Sequence, residues 1–221
     1  MSIQKTEIQL DVNGKSVNAY LASPSNGGPG VLLLHAWWGL KPFFKEVCDR
    51  LAEQGFTVFA PDMRDGEVAK TIDEAKVLME KSDGQFVSDV VMTAKNHLRG
   101  IVKGNIGVIG FSMGAAWALV VASHTPEQIA AIVLFYGNED VDVTKITAKV
   151  MGHFSKDDEW EPYEWVEKKF GEMKAAHVDA TTHIYPGVAH WFVETDRPEY
   201  DPAAAQLAWE RTFKFLKQNL K

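Results

Sequence analysis

Ser112 stands in Gly110-Phe111-Ser112-Met113-Gly114, a Gly-x-Ser-x-Gly set between two apolar runs. Ile106 to Ile109 reads as a short buried strand, and Ala115 to Ala122, rich in Ala, Leu and Val and free of Pro, as a buried helix. A serine on such a strand-to-helix turn is held in a strained backbone conformation at the top of a sheet. The positions around it must be nearly free of side chain, which accounts for glycine two residues before and two after. Ser112 is therefore the candidate nucleophile. A hydroxyl is weak in that role unless a base lies within hydrogen-bond reach and a carboxylate orients the base.

On such a turn the partners follow in chain order, acid before histidine. The histidines after Ser112 are His124, His153, His177, His183 and His190. His190 has the setting of a base: it follows a predicted strand, Thr181 to Tyr185, and the irregular Pro186-Gly187-Val188-Ala189. His183 lies within that strand and His177 before it, so both read as structural or solvent-facing, while His124 falls where it meets the last carbonyls of the helix after Ser112. His153 ends a strand at the same sheet edge and is kept as an alternative base or neighbour. For the acid, Ser155-Lys156-Asp157-Asp158-Glu159 follows the apolar strand Lys149 to Phe154. Asp158 is favoured and Asp157 held in reserve, because spacing alone does not separate adjacent aspartates. A solvated loop, or a cap for the helix beginning near Pro162, is the plain alternative for these carboxylates.

The elements that must position these groups alternate along the chain. Ile8, Leu10 and Val12, then Asn13-Gly14, then Val17, Ala19 and Leu21 describe a hairpin with a tight primed turn. Val31 to His35 is an unbroken apolar run, the mark of a central parallel strand covered on both faces. A helix over Phe43 to Gln54, ended by Gly55, leads to a strand over Phe56 to Ala60. Thr71 with Glu74 suggests a capping box, opening a helix to Glu80; a break near Asp83 and Gly84 precedes a second helix to Leu98. Strands over Ala130 to Phe135 and Lys149 to Phe154, and a helix from Pro162 to Ala176, come next. Pro202 to Gln218 closes the chain as an amphipathic helix with Leu207, Phe213 and Leu216 inward. This predicts an α/β fold, a mostly parallel central sheet with helices on both faces and an N-terminal antiparallel hairpin.

With 221 residues and 46% hydrophobic content, the chain is expected to form one domain over residues 1–221. A net charge of −7 with no basic cluster argues against nucleic acid and anionic membrane surfaces as partners. The N-terminal stretch lacks the basic-then-apolar pattern of a signal peptide, and no run approaches a membrane span. The single cysteine, Cys48, cannot form an internal disulfide, which fits a cytoplasmic protein; beside Phe44, Val47 and Leu51 it reads as a small buried hydrophobe. No metal-binding motif occurs, and no cofactor is expected.

The motifs together resemble the dienelactone hydrolase family of the α/β-hydrolase superfamily along nearly the whole chain. The resemblance rests on His35-Ala36-Trp37-Trp38-Gly39, Ala60-Pro61-Asp62, the turn at Ser112, the acid loop ending at Pro162, and Tyr185 through His190. It implies an α/β-hydrolase fold and a triad of Ser112, Asp158 and His190. Two departures stand out: founding members carry a cysteine nucleophile and an oxyanion-loop glutamate where this chain has Ser112 and Ala36, and an arginine four residues after the histidine where this chain has Glu194. Dienelactone itself is accordingly not the expected substrate.

Acyl transfer also needs donors aimed at the oxygen that becomes negative. The backbone N–H of Met113 is one, and the resemblance assigns the other to Trp37. His35 is read as structural. Trp37, Trp38, Phe111, Tyr136, Trp160 and Trp191 fall on loops at one end of the sheet and suggest an aromatic-lined cleft, with Trp38, Phe111, Tyr136, Trp160 and Trp191 as pocket residues. Asp157, Glu159, Glu161 and Glu194 should repel anions there, so small neutral esters or lactones are the expected small-molecule substrates. The connection between Phe135 and Lys149 is too short for a large lid, although residues 63–82 remain free to cover the site. The expected enzyme is a carboxylesterase-like hydrolase working through an acyl-enzyme, with activity rising as pH passes about 6 to 8. A thioesterase or peptidase using the same triad, and a non-catalytic binding protein on the same scaffold, are the alternatives.

Overall fold

The computed structural model describes residues 2–221. Among the described residues eight strands and six α-helices form an α/β fold, and the chain divides into two compact units that meet in sequence at Ile106 and Gly107.

In the first unit, β1 (Ile3–Val12) and β2 (Lys15–Pro24) pair antiparallel and are closed by Val12 opposite Lys15. Asn13 and Gly14 both take positive φ, 56° and 80°, the pair of values a type I′ turn requires. Leu10, Val12, Val17 and Ala19 are buried while their neighbours Gln9, Asp11 and Asn18 are exposed, as period-two patterning predicts. β3 (Gly30–Leu34) and β4 (Thr57–Pro61) pair parallel and are buried at every residue, so side chains on both faces are covered. The strand order in this unit is β1-β2-β4-β3.

Helix α1 (Pro42–Glu53) begins with Pro in its first turn and buries Phe43, Phe44, Val47, Cys48 and Leu51. Cys48 is a free, buried thiol, pushed up by its burial. Helices α2 (Ile72–Glu80) and α3 (Gly84–Ile101) follow, the second capped by the Asp83 carboxylate on the N–H groups of Gln85 and Phe86. The capping box is half formed. Thr71 Oγ1 accepts the Glu74 N–H at 3.2 Å, but Glu74 reaches past Thr71 to the N–H of Lys70 at 2.7 Å.

The second unit holds β5 (Ile106–Phe111) from its second residue on, then α4 (Met113–His124), β6 (Ile129–Phe135), β7 (Lys149–Ser155), α5 (Tyr163–Ala175), β8 (Ala180–Tyr185) and α6 (Pro202–Asn219). Strands lie in the order β5-β6-β7-β8, with β6, β7 and β8 parallel, so their carboxyl ends open on one edge. Between β6 and β7 the only helical element is the 3₁₀ turn Val143–Lys145.

One inward position in α6 differs from expectation. The buried stripe is Ala205, Ala208, Trp209, Thr212 and Leu216, while Leu207 is 41% exposed and Phe213 half-buried against Trp209. Trp209 sets this phase by packing on Phe135, and Leu207, two residues earlier, is rotated by about 200° away from it. The start of α6 rests on Asp201, whose carboxylate accepts the Ala204 N–H at 2.8 Å. Asp201→Ala is expected to lower stability by about 1 kcal/mol, read as a lower urea midpoint at unchanged m-value.

Candidate active site

Ser112 joins β5 to α4 with φ 49° and ψ −115°, outside the regions an L-residue ordinarily adopts. Its neighbours hold it there. The Ser112 N–H donates to Phe135 O at 2.9 Å, and its carbonyl accepts the N–H groups of Ala115 and Ala116 at 2.8 and 3.3 Å. A Cβ on Gly110 would come within 2.2 Å of Gly114 O, and one on Gly137 within 2.3 Å of Ser112 O, so both glycines are there for close backbone approach. Gly110 belongs to the motif. Gly137 lies beyond it, and only the end of an apolar run at Phe135 points to a sharp turn there.

His190 comes from the loop after β8. Ser155 Oγ donates to Val188 O, and the Lys156 N–H donates to Tyr185 O at 2.9 Å, so the end of β7 anchors this loop. His190 Nε2 lies 3.0 Å from Ser112 Oγ, and Nδ1 lies 2.8 and 2.9 Å from the two carboxylate oxygens of Asp158. A carboxylate only accepts, so Nδ1 carries the proton and Nε2 presents its lone pair to the serine hydroxyl. The His190 and Asp158 side chains are buried, whereas Ser112 is partly exposed and open to a reactant.

Asp158, on the loop after β7, is held by main-chain donors: Oδ1 accepts the N–H groups of Trp160 and Glu161 at 2.8 and 2.9 Å. Asp157 points elsewhere, its N–H bonded to Ser155 Oγ at 3.1 Å and its side chain in solvent. The adjacent aspartates are thus separated by geometry, and Asp158 is the one brought to His190.

The other histidines occupy unrelated networks. His153, kept as an alternative base, is completely buried and bonded through Nδ1 to Tyr185 OH at 2.9 Å and through Nε2 to Thr212 Oγ1 at 3.0 Å. Burial holds it well below the usual imidazole range, and its two ring nitrogens are bonded to Tyr185 and Thr212 rather than to Ser112. His124 Nδ1 donates to Val120 O at 2.8 Å in the last turn of α4. In the first unit, His35 Nδ1 donates to Ala36 O at 2.6 Å while Nε2 accepts the Met63 N–H at 2.9 Å. Burial pulls it down to about 4 against the opposing charge of Asp62, so it is a neutral tie between the loops after β3 and β4.

The aromatic residues divide. Phe111 is corrected from cleft to core: it is fully buried, stacked on Phe135 at 4.8 Å and packed on Trp209 at 6.2 Å. Trp38, in the first unit, is also packed rather than open, edge-on to Trp37 at 5.4 Å; Trp37 lies in the loop following β3. Tyr136 and Trp191 are buried and flank the His190 ring at 4.9 and 5.0 Å. Trp160, 39% exposed, covers Trp191 at 5.6 Å. Met113, the expected main-chain donor, is the first residue of α4, where N–H groups point out of the helix.

Two of the four acidic residues expected to repel anions are not exposed charges. Glu194 is fully buried, and its Oε1 accepts the Tyr136 hydroxyl at 2.8 Å. Glu161 is buried beside Asp158. Among the described residues no group of three or more His, Cys, Asp or Glu side chains is arranged to hold a metal ion, and no helix is long and apolar enough to cross a membrane.

Ser112 on a strand-to-helix turn, Asp158 after β7 and His190 after β8 are arranged on an α/β-hydrolase fold. Residues 17–220 match the model of the Dienelactone hydrolase family, and the chain belongs to that family, hydrolases of ester and lactone bonds. It is 34% identical to Protein usf of Aquifex pyrophilus, over 96% of this chain and 98% of that one. It is 31% identical to a protein of Aquifex aeolicus named as a candidate carboxymethylenebutenolidase, over 97% and 98% of the two chains. Among solved structures, a candidate dienelactone hydrolase from Klebsiella pneumoniae shares the fold with a TM-score of 0.89 at 24% identity, over 99% of this chain and 100% of that one.

Burial, reinforced by the charge of Asp158, pushes the Glu161 carboxyl up from 4.5 to about 7, with hydrogen bonds from Asn138 acting the other way. The folded chain therefore holds this proton more tightly than the unfolded chain. The resulting stabilisation is fully present below about pH 4.5 and is lost as pH rises through about 7. Against Glu161→Gln, which does not titrate, the wild-type chain is expected to lose roughly 2 to 3 kcal/mol between about pH 4.5 and 8 in urea unfolding. A pH-independent difference between the two proteins would contradict the shift.

Proposed function

We propose that this chain is a serine-dependent hydrolase of small carboxylic esters or lactones. Its triad is Ser112, His190 and Asp158, and it works through an acyl-enzyme. The observation that carries the reading is the continuous path Ser112 Oγ, His190 Nε2, His190 Nδ1, Asp158 carboxylate, with every link at 3.0 Å or less along its shortest contact.

In the first step Ser112 Oγ attacks the carbonyl carbon while His190 Nε2 takes the hydroxyl proton, and Asp158 holds the imidazole tautomer and offsets its new charge. The carbonyl oxygen becomes negative, and the Met113 N–H at the N-terminus of α4 is the donor we assign to it in this unit. The tetrahedral intermediate collapses, the C–O bond to the alcohol breaks, and His190 returns the proton to that oxygen. Water, deprotonated by the same nitrogen, then attacks the acyl-serine and releases the acid. No step calls for a cofactor.

The match of the family model through residues 17–220 supports treating the whole chain as one hydrolase domain. The free, buried thiol of Cys48 supports a cytoplasmic setting. The short connection between β6 and β7 supports an uncovered site on this side, suited to soluble esters. Neutral substrates are favoured by the exposed carboxylates of Asp157 and Glu159 near the acid; the field is weaker than four full charges would give, because Glu161 is partly protonated at neutral pH and Glu194 is buried.

A fluorophosphonate is expected to label wild-type protein at Ser112 and to leave Ser112→Ala unlabelled, with ester turnover in the variant down at least about 10⁴-fold. Asp158→Asn, which leaves the imidazole in the wrong tautomer, is expected to cost roughly 10³- to 10⁴-fold in kcat. Full turnover by Ser112→Ala would refute the assignment. A panel of esters, lactones, thioesters and amides identifies the bond type. At low salt a neutral lactone should show the higher kcat/KM than a carboxylate-bearing analogue, and the reverse order would remove the charge argument.

A further inference from the structure

The end of β6 touches both reacting side chains. Phe135 O accepts the Ser112 N–H, Gly137 lies against the Ser112 main chain, and Tyr136 between them places its ring 4.9 Å from that of His190. Tyr136 takes φ 40°, in the left-handed region that an aromatic residue enters only at a cost of roughly 1 to 3 kcal/mol. Its N–H is committed to His153 O at 2.8 Å, and its hydroxyl donates to Glu194 Oε1 at 2.8 Å, with both side chains fully buried.

Glu194 lies four residues beyond His190 on the same loop, and its N–H donates to Trp191 O at 2.9 Å. The Tyr136–Glu194 bond therefore closes a ring of contacts: from the strand end beside the nucleophile, through the phenol, to the turn that carries the base, and through His190 Nε2 back to Ser112 Oγ. A turn tied at only one end would leave His190 free to slide along the ring face that supports it. Trp191 closes the other side, edge-on at 86° to the imidazole.

We infer that Tyr136 and Glu194 are positioning residues whose buried hydrogen bond sets the approach of His190 to Ser112, an inference that rests on the triad proposed above. Neither group takes a proton in the reaction. Burial and the adjacent carboxylate hold the Tyr136 phenol well above its ordinary range, which keeps it a donor throughout working pH. A displacement of the base by about 1 Å is sufficient to lower turnover by about 10²-fold without altering how substrate is held, so the signature is a fall in kcat at unchanged KM.

The test uses the full chain and a neutral aryl ester. Tyr136→Phe keeps the ring and removes the hydroxyl; Glu194→Ala removes the acceptor; Glu194→Gln keeps an oxygen that accepts the phenol. The expected result is a fall in kcat of about 10- to 100-fold for Tyr136→Phe and Glu194→Ala, with KM within about twofold of wild type. Glu194→Gln should recover most of that loss, and Tyr136→Phe should add little when combined with Glu194→Ala. The rate of fluorophosphonate labelling at Ser112 should fall in step with kcat. Wild-type kcat and labelling in Tyr136→Phe would overturn the positioning role while leaving the triad intact. A Glu194→Gln variant that folds, judged by its near-UV circular dichroism, yet is as slow as Glu194→Ala would overturn it too. Absence of labelling at Ser112 in the wild-type protein would instead remove the triad on which the inference stands.

Discussion

The left-handed backbone at Ser112 is the constraint around which the second unit is arranged. A serine there costs energy that a glycine would not, and the conformation persists because three hydrogen bonds on its own peptide groups and two glycine gaps, at 110 and 137, leave no cheaper alternative. The gain is directional. A serine continuing helically from β5 into α4 would lay its hydroxyl against its own carbonyls; at φ 49° the hydroxyl instead meets an imidazole arriving from a loop far along the chain. Because β7 and β8 are parallel and end on the same edge, the loops after them bring Asp158 and His190 together, and His190 meets Ser112 on the turn after β5.

Burial alone does not single out His190. His35, His153 and His190 are all buried, and all have both ring nitrogens bonded. His35 faces a backbone carbonyl and an N–H, and His153 two hydroxyls packed within the fold, so a proton gained by either has no nearby reacting group. His190 joins a buried carboxylate on one side to a partly exposed hydroxyl on the other. That asymmetry sets His190 apart from the other two. The Asp158 carboxylate is itself restrained, since two main-chain N–H groups on one oxygen oppose its rotation away from Nδ1.

Elements governed by local chemistry were legible in the sequence. The Asn13-Gly14 turn, the unbroken apolar run of β3, the stop at Gly55 and the turn at Ser112 each follow from backbone preference or patterning within a few residues. What was not legible depends on partners distant in the chain. Leu207 looked inward by composition, but the phase of α6 is decided by Trp209 meeting Phe135. Phe111 sits beside Ser112 in sequence and in the core in space, because β5 is covered on both faces and Phe111 stacks on Phe135. Asp157 and Asp158 are equivalent until Ser155 Oγ takes the N–H of one and His190 meets the carboxylate of the other. Gly137 carries no motif at all, yet its missing Cβ makes room for Ser112.

Carboxylates show most clearly how composition misleads near a site. Glu161, Glu194, Asp157 and Glu159 contribute equally to the formal charge of −7, but they act through three different kinds of physics. Asp157 and Glu159 remain in water, where their field is screened over about 8 Å at physiological ionic strength. Glu161, desolvated beside another carboxylate, responds by holding its proton to about pH 7. Glu194 is buried on the loop that carries His190 and works as a hydrogen-bond acceptor. The family arginine four residues after the histidine is replaced by an acid, which removes a cation that would attract an anionic substrate. In this chain that acid accepts the hydroxyl of Tyr136, whose ring lies 4.9 Å from that of His190, so the carboxylate is spent on a bond inside the fold rather than presented to solvent.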